Sequence, residues 1–456
     1  MGVVALGLAL VQLPSLNILS FGAKPDDNID DTRPLRKALE QAKRMGGARI
    51  TFPKGTFIIQ TATVYSNTEL VGSGPETILA RDGYESRRFI VCGPIGDHYS
   101  WKRNPVRNVR FADMTLRDWS DRLPMAEHHD LLTFNGVENG RVERVRFIGF
   151  RGDGLYIGGG DIRNEIVRHN LDITVRDCVF DGLNRRNRNG LTVIDGVRVL
   201  IENNTFTNCT SDVSPAAIDI EPNKNPYHHL QDITVRGNTF RNNGGTAIMV
   251  DVAIPQYEKD LPVKRITIEN NKIDGQQRRG ILINQLSNMD PVPEPIDALI
   301  RNNEIRRSPA PIAIEGVRGV NVLGNRIYDC REGMMIGYGS FGRGAQDLLI
   351  SSNKVYRTGA APSKHEGSAV VLHNVRGIRV EKNELFDMVT STGQAGAVVT
   401  FRASSGGGAG KNVRIVGNRS SFPTKTPVGK SVAYRVREGY VLDLPTLTVA
   451  ENVLGP

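Results

Sequence analysis

Cysteine is scarce. Cys92, Cys178, Cys209 and Cys330 are the only four in 456 residues, widely spread and without a CxxC pair. That excludes a disulfide scaffold and offers no zinc spacing, and isolated thiols of this kind belong in a core. Aromatics are 6% of the chain, and no run of five Lys or Arg occurs. Nucleic-acid modules cluster basic residues and interleave aromatics, so nucleic acid is not the expected partner. No segment reaches the roughly 20 apolar residues of a membrane span. The stretch MGVVALGLALVQLP is apolar but short and has no Lys or Arg. It reads as a signal-peptide h-region without its basic flank, a tag remnant or a first strand. Residues 1–16 are set apart on that ground, and a secreted or periplasmic protein is expected.

Glycine is abundant at 48 residues, but with no G-X-Y period, which excludes collagen. The net charge is +9, which suits an acidic partner such as an anionic polysaccharide.

The decisive feature is a repeat. An "Asn-x-apolar" pattern recurs at Asn204, Asn238, Asn271, Asn303, Asn325, Asn353, Asn383 and Asn452, and Asn418 keeps the Asn with Ser in the apolar place. Upstream, Cys178 and Val145 occupy the Asn position. Alternating runs such as DITVRGN and KRITIENN precede most of these positions and read as half-buried strands. A second strand family, with members GLTVID, AIDIEP, AIMVDV and GILINQ, lies ahead of each Asn. Two short strands and their turns per repeat make one coil of a solenoid, and only stacking of coils buries the apolar face. The expected fold is all-β: a right-handed parallel β-helix in which the Asn residues adopt the left-handed conformation and hydrogen-bond from coil to coil. Leu35, Leu39 and Ala42, with Asp31 or Thr32 as cap and Pro34 in the first turn, predict an N-terminal helix that closes the solenoid's open end. Residues 17–456 form one domain, with 17–75 its cap and first coils.

The segment from Phe21 to Leu79, FGAKPDDNIDDT through GGARITFPKGTF to LVGSGPETIL, resembles the start of the pectate-lyase-like β-helix proteins. That superfamily holds polygalacturonase-type hydrolases, polysaccharide lyases, alginate epimerases and phage tailspike depolymerases. The polygalacturonase pattern, an N-T-D strand followed by a D-D pair and a G-H-G turn, and the epimerase D-P-H motif are missing, so the resemblance carries over no catalytic residue. It also admits a homotrimer, as among tailspikes.

The site is therefore read from the coils. Aligning the second strand family by its inward apolar pairs points Asp219 and Glu221 outward together. Asp251 falls beside Glu221 one coil on, Asn284 follows, and Asp195 lies near the end of the preceding strand. This predicts a carboxylate column on an exposed sheet. Three readings fit it: an acid/base pair for glycoside hydrolysis, a Ca²⁺ site for β-elimination, or a solvated acidic face balanced by Arg. Turns on the same coils offer Arg186, Arg188, Lys224, Tyr227 and His228 to a charged sugar, with Tyr156 and Tyr227 as stacking surfaces. Asp130, in the string HHD, is a metal hint.

The expected function is cleavage of an extracellular anionic polysaccharide by two carboxylates, with Glu221 and Asp219 or Asp251 reacting and no cofactor. Calcium-assisted lyase or C5-epimerase action is the alternative, with Ca²⁺ on Asp219, Glu221 and Asp251. A non-catalytic carbohydrate-binding or tailspike-like adhesin is the third reading.

Overall fold

A computed structural model describes residues 13–455 except 83–87, 94–104, 160–167, 212–214, 223–227, 253–262, 286–293, 338–343, 360–366 and 404–407. The predicted helix runs over Thr32–Arg44 and buries Leu35, Ala38, Leu39 and Ala42. Asp31 is its N-cap residue, but its side chain makes no capping bond; Asp30 Oδ1 instead accepts from the Thr32 amide at 2.8 Å. The strand Ser15–Asn17 precedes the helix and pairs in parallel with Ala48–Thr51.

Beyond the helix the chain is a parallel β-solenoid with three faces. Face one is a 13-stranded sheet, which includes Leu155–Gly158, Leu191–Val193, Ala216–Ile220, Thr246–Asp251, Arg279–Asn284 and Ala310–Glu315. Face two carries strands such as Gly196–Glu202 and Leu230–Arg236, and face three carries Thr205–Thr207 and Thr239–Arg241. Each strand pairs in parallel with its counterpart one coil away, for example Ile218 with Ile248 and Ile248 with Ile281.

The asparagine ladder stands at the corner between faces two and three. Asn204 Nδ2 donates to Asn238 Oδ1 at 3.0 Å, Asn238 to Asn271 at 3.0 Å and Asn271 to Asn303 at 2.9 Å, and the chain of bonds continues to Asn452. Each Oδ1 also accepts the backbone amide of the previous coil's ladder residue, including the Cys178 amide at 2.9 Å. The left-handed residue is not the ladder Asn but the one before it: Asn203, Gly237, Asn270, Asn302, Gly324, Ser352, Lys382, Gly417 and Glu451 all have positive φ. The chain must reverse its pleat there, so that the following Asn turns inward and its carboxamide takes over the backbone bonds the corner would otherwise leave unmade.

One continuous apolar core fills the solenoid. The inward pairs Ile218/Ile220, Ile248/Val250 and Ile281/Ile283 are fully buried. Phe147, Phe180, Phe206 and Phe240 stack from coil to coil, with centroids 4.6, 4.6 and 5.0 Å apart. All four cysteines are free and buried. No described helix is long and apolar enough to cross a membrane.

Candidate active site

The register of face one brings three predicted carboxylates together. Asp219 and Glu221 flank Ile220, and Ile220 pairs with Val250, so Asp251 follows beside Glu221 on the next coil. Oxygens of Asp219, Glu221 and Asp251 lie within 4.8 Å of one another. Asn284 pairs with Asp251 one coil further on.

The expected exposed sheet is corrected by the structure. Asp219 is 0% and Asp251 2% exposed, while Glu221 is half-buried. The outward side of face one carries a second apolar cluster, in which Met249, Leu282, Ala313 and Met335 are buried. Burial therefore acts on the carboxyls directly. It pushes Asp219 up to about 8, helped by the charge of Glu221. It pushes Asp251 up to about 9, helped by Asp219 and Glu221. Burial raises Glu221 as well, against the pull of Arg188. Near neutral pH the cluster thus holds protons that isolated carboxylates would have lost. Asn189 Nδ2 donates to Asp219 Oδ2 at 3.1 Å. Asp219 Oδ1, Asp251 Oδ1 and Asn284 Oδ1 are buried and have no partner among the described residues.

Arg188 ties this cluster to a second one that the sequence reading did not assemble. Its Nη1 donates to Asp153 Oδ2 at 2.8 Å, and its charge also acts on Asp219 and Glu221. Asp153 Oδ1 accepts the Asn189 amide at 3.1 Å, so one buried carboxylate fixes both Arg188 and Asn189. Asp130 Oδ1 accepts the Asp153 amide at 3.1 Å; burial, then the Asp153 charge, pushes Asp130 up to about 8. Tyr156 stands beside these two acids, and burial first, then their charges, raises its phenol to about 12. Asp130 is thus held by hydrogen bonding, and the HHD string assembles no metal cluster among the described residues.

Asp195 does not join the column. Face one ends at Val193 in this coil and face two begins at Gly196, with no room for an outward turn. The Asp195 carboxylate staples that corner instead. It meets His169 Nδ1 at 2.8 Å and accepts the amides of Asn170 at 3.2 Å and His229 at 2.8 Å. His169 and His229 stack at 4.4 Å, and burial lowers His228, whose Nδ1 bonds the Pro222 carbonyl. A Cβ on Gly158 would stand 2.3 Å from Tyr156 Cε1, and one on Gly159 2.7 Å from His228 Nε2. Those glycines make room for the two rings. Arg186 is exposed on its turn, its amide held by Asn184 Oδ1 at 2.9 Å. Lys224 and Tyr227 lie outside the described residues.

Comparison with known proteins agrees with this architecture. The family described as "Rhamnogalacturonase A/epimerase, pectate lyase-like" matches residues 15–215, and "Right handed beta helix region" matches 231–421. The chain belongs to the pectate lyase-like right-handed β-helix superfamily. Among solved structures, the A-module of the Azotobacter vinelandii mannuronan C-5 epimerase AlgE6 is similar in fold, with TM-score 0.61 and 18% identity over 96% of this chain and 99% of that one. The tailspike of E. coli bacteriophage HK620 in complex with pentasaccharide has TM-score 0.59 and 14% identity over 89% and 67%. A probable glucan endo-1,3-beta-glucosidase of Arthroderma benhamiae is 24% identical over 43% of this chain and 23% of its own length. A prophage-derived protein of Bacillus subtilis, YomE, is 38% identical over 58 residues, 9% of its length. The chain thus spans less than a quarter of these two sequence relatives.

On this pectate lyase-like β-helix, the carboxylate cluster offers two kinds of chemistry. Three carboxyls sharing fewer charges can pass a proton to a leaving oxygen and take one from an attacking group. The same oxygens, with Asn284 Oδ1, are hard ligands of the kind Ca²⁺ takes.

Proposed function

We propose that this protein is a carbohydrate-active enzyme that cleaves glycosidic bonds of an extracellular anionic polysaccharide, with Glu221 and Asp251 as the reacting carboxyls. The observation that carries the proposal is the outward-facing trio within 4.8 Å, two of whose members are pushed up to about 8 and 9. Asp251 keeps its proton at neutral pH and donates it to the leaving glycosidic oxygen. Glu221, the least buried of the three and drawn down by the charge of Arg188, is the partner that activates water or attacks carbon. Asp219, two residues before Glu221 and bonded by Asn189, crowds the cluster and so helps keep the proton on Asp251. The printed names of the relatives, a glucosidase, an epimerase and a tailspike with bound pentasaccharide, support a carbohydrate partner. The basic net charge supports an acidic one.

The experiment is incubation with a panel of acidic and neutral polysaccharides, followed by mass spectrometry of the products. Hydrolysis adds water and yields reducing ends. Products carrying ultraviolet-absorbing unsaturated ends, or intact polymer, overturn it.

A second reading is favoured by the three buried oxygens without partners. A divalent cation held by Asp219, Glu221, Asp251 and Asn284 would satisfy them. Such a cation supplies acidification of the sugar next to a bound carboxylate, the chemistry of a lyase or C5-epimerase. Loss of all activity in EDTA, restored by Ca²⁺, selects this reading.

A further inference from the structure

On the opposite edge of face one, where the chain leaves face three, the coils open into a cleft of about 850 Å³. It lies between the strands Glu304–Arg306, Arg326–Tyr328 and Lys354–Tyr356 and the starts of the face-one strands that follow them. We propose that this cleft is a separate binding site for an acidic sugar residue. It contains none of the three clustered carboxyls, and a six-residue face-one strand places it roughly 20 Å from them.

Charge is the first argument. The lining holds Arg307, Arg331, Arg357 and Lys425 against a single carboxylate, Asp329. Elsewhere on the surface some arginines are matched by aspartates of the preceding coil, as in Arg198 with Asp172 and Arg265 with Asp232, each at 2.6 Å. In the cleft, Arg307 is held by Asp274 at 2.6 Å and Arg357 by Asp329 at 2.6 Å, whereas Arg331 and Lys425 stand exposed at the rim. The matched pairs fix the shape, and the other two leave a positive field that an anionic group neutralises.

Unsatisfied hydrogen bonding is the second, independent argument. Two lining side chains are almost wholly buried, Gln276 at 3% and Ser308 at 1% exposure. Gln276 Oε1 and Ser308 Oγ have no partner among the described residues. Gln276 Nε2 donates to the Asp274 carbonyl at 3.0 Å, which fixes the orientation of the amide and leaves Oε1 as an acceptor. An unpaired acceptor and an unpaired hydroxyl lining one cleft call for a ligand with hydroxyl groups, and the rim cations call for an acid on the same molecule. A uronate or a sulfated sugar carries both, whereas inorganic phosphate supplies the charge without the extended row of hydroxyls.

Rigidity is the third. Tyr328, Tyr356 and Phe386 stack at 4.6 Å intervals along this edge. The residues that follow the two tyrosines, Asp329 and Arg357, are therefore held in register, so little is lost in ordering the site when a ligand enters.

The test is calorimetric titration of the full chain with acidic oligosaccharides (oligogalacturonate, and a sulfated oligosaccharide), neutral glucan oligosaccharides and inorganic phosphate. It is repeated in Glu221→Gln, so that cleavage and binding are read apart. In Glu221→Gln, which does not cleave it, the acidic oligosaccharide still binds at the cleft. The double substitution Arg331→Ala with Lys425→Ala weakens it at least tenfold. Ser308→Ala weakens it severalfold while melting at or above the wild-type temperature, because it removes a buried hydroxyl that only the ligand satisfies. Binding that is unchanged in the double variant, absent for every acidic glycan with folded protein, or equally tight for phosphate overturns the proposal.

Discussion

Ile220 and Val250 are paired across neighbouring coils, and the residue after each is a carboxylic acid, Glu221 and Asp251. The backbone ladder therefore forces together two groups that like charge would drive apart, and burial withholds the solvent that would relieve them. The folded solenoid supplies the energy that keeps the pair in place, and four predictions follow from that arrangement and from the ladder behind it.

The asparagine ladder carries stability in proportion to depth. Asn303→Ala removes the acceptor of both the Asn271 amide and Asn271 Nδ2, and the donor to the Ile268 carbonyl. All of these groups are buried, so the loss is at least about 2 kcal/mol. Asn452→Ala, at the partly exposed end of the ladder, costs less than half as much because water replaces the bonds. Urea unfolding of the two variants measures the difference.

Stability falls as pH rises from about 4 towards 8–9. Unfolded, Asp219 and Asp251 titrate near 3.8; folded, they hold their protons to about 8 and 9. Between those limits the folded state binds more protons than the unfolded one, so the sign is a loss of stability with rising pH. The surface aspartates paired with arginine, such as Asp172 and Asp232, are shifted downwards and act below pH 4, outside this window. Asp251→Asn flattens the slope and gains about 1–3 kcal/mol at pH 8, the scale of one poorly solvated buried polar group. Melting temperatures at pH 5 and pH 8 measure it.

A cation at the cluster reverses that slope. If the second reading holds, Ca²⁺ raises the melting temperature at pH 8, where the carboxyls ionise to receive it, and does little at pH 5. EDTA has the opposite effect. For a two-carboxylate hydrolase, neither addition moves the melting temperature at either pH.

Activity has an alkaline limb. The proposed acid works only while Asp251 and Asp219 retain a proton between them, so kcat declines through about pH 8–9. Substitution of Asp219 by Asn moves that limb, since it removes one of the charges that hold Asp251 up. The pH profile of kcat reads it.

The solenoid was legible because its period is written in one residue type. The Asn at 204, 238, 271 and onward all fell on one corner. The conformation of that corner was misplaced by one position, although the signal was present: Asn or Gly precedes the ladder Asn at 203, 237, 270, 302, 324 and 417. The trio of carboxylates was legible for the same reason, because strand alternation and coil register are both periodic. Asp195 was not, because its coil passes from Val193 to Gly196 without a turn, and a periodic alignment contains no loop lengths. The partnership of Asp130, Asp153 and Arg188 was hidden too. Asp153 and Arg188 precede their face-one strands and Asp130 is the first residue of its own, so their positions follow the shape of each turn and not an alternation.

The most direct measurement is turnover by Glu221→Gln and Asp251→Asn on a polysaccharide the wild type cleaves, alongside circular dichroism of each variant. The account predicts a loss of about 10²–10⁴-fold in kcat for both, the contribution of a positioned acid or base, with the β-helix spectrum unchanged. Wild-type turnover in either correctly folded variant would contradict it.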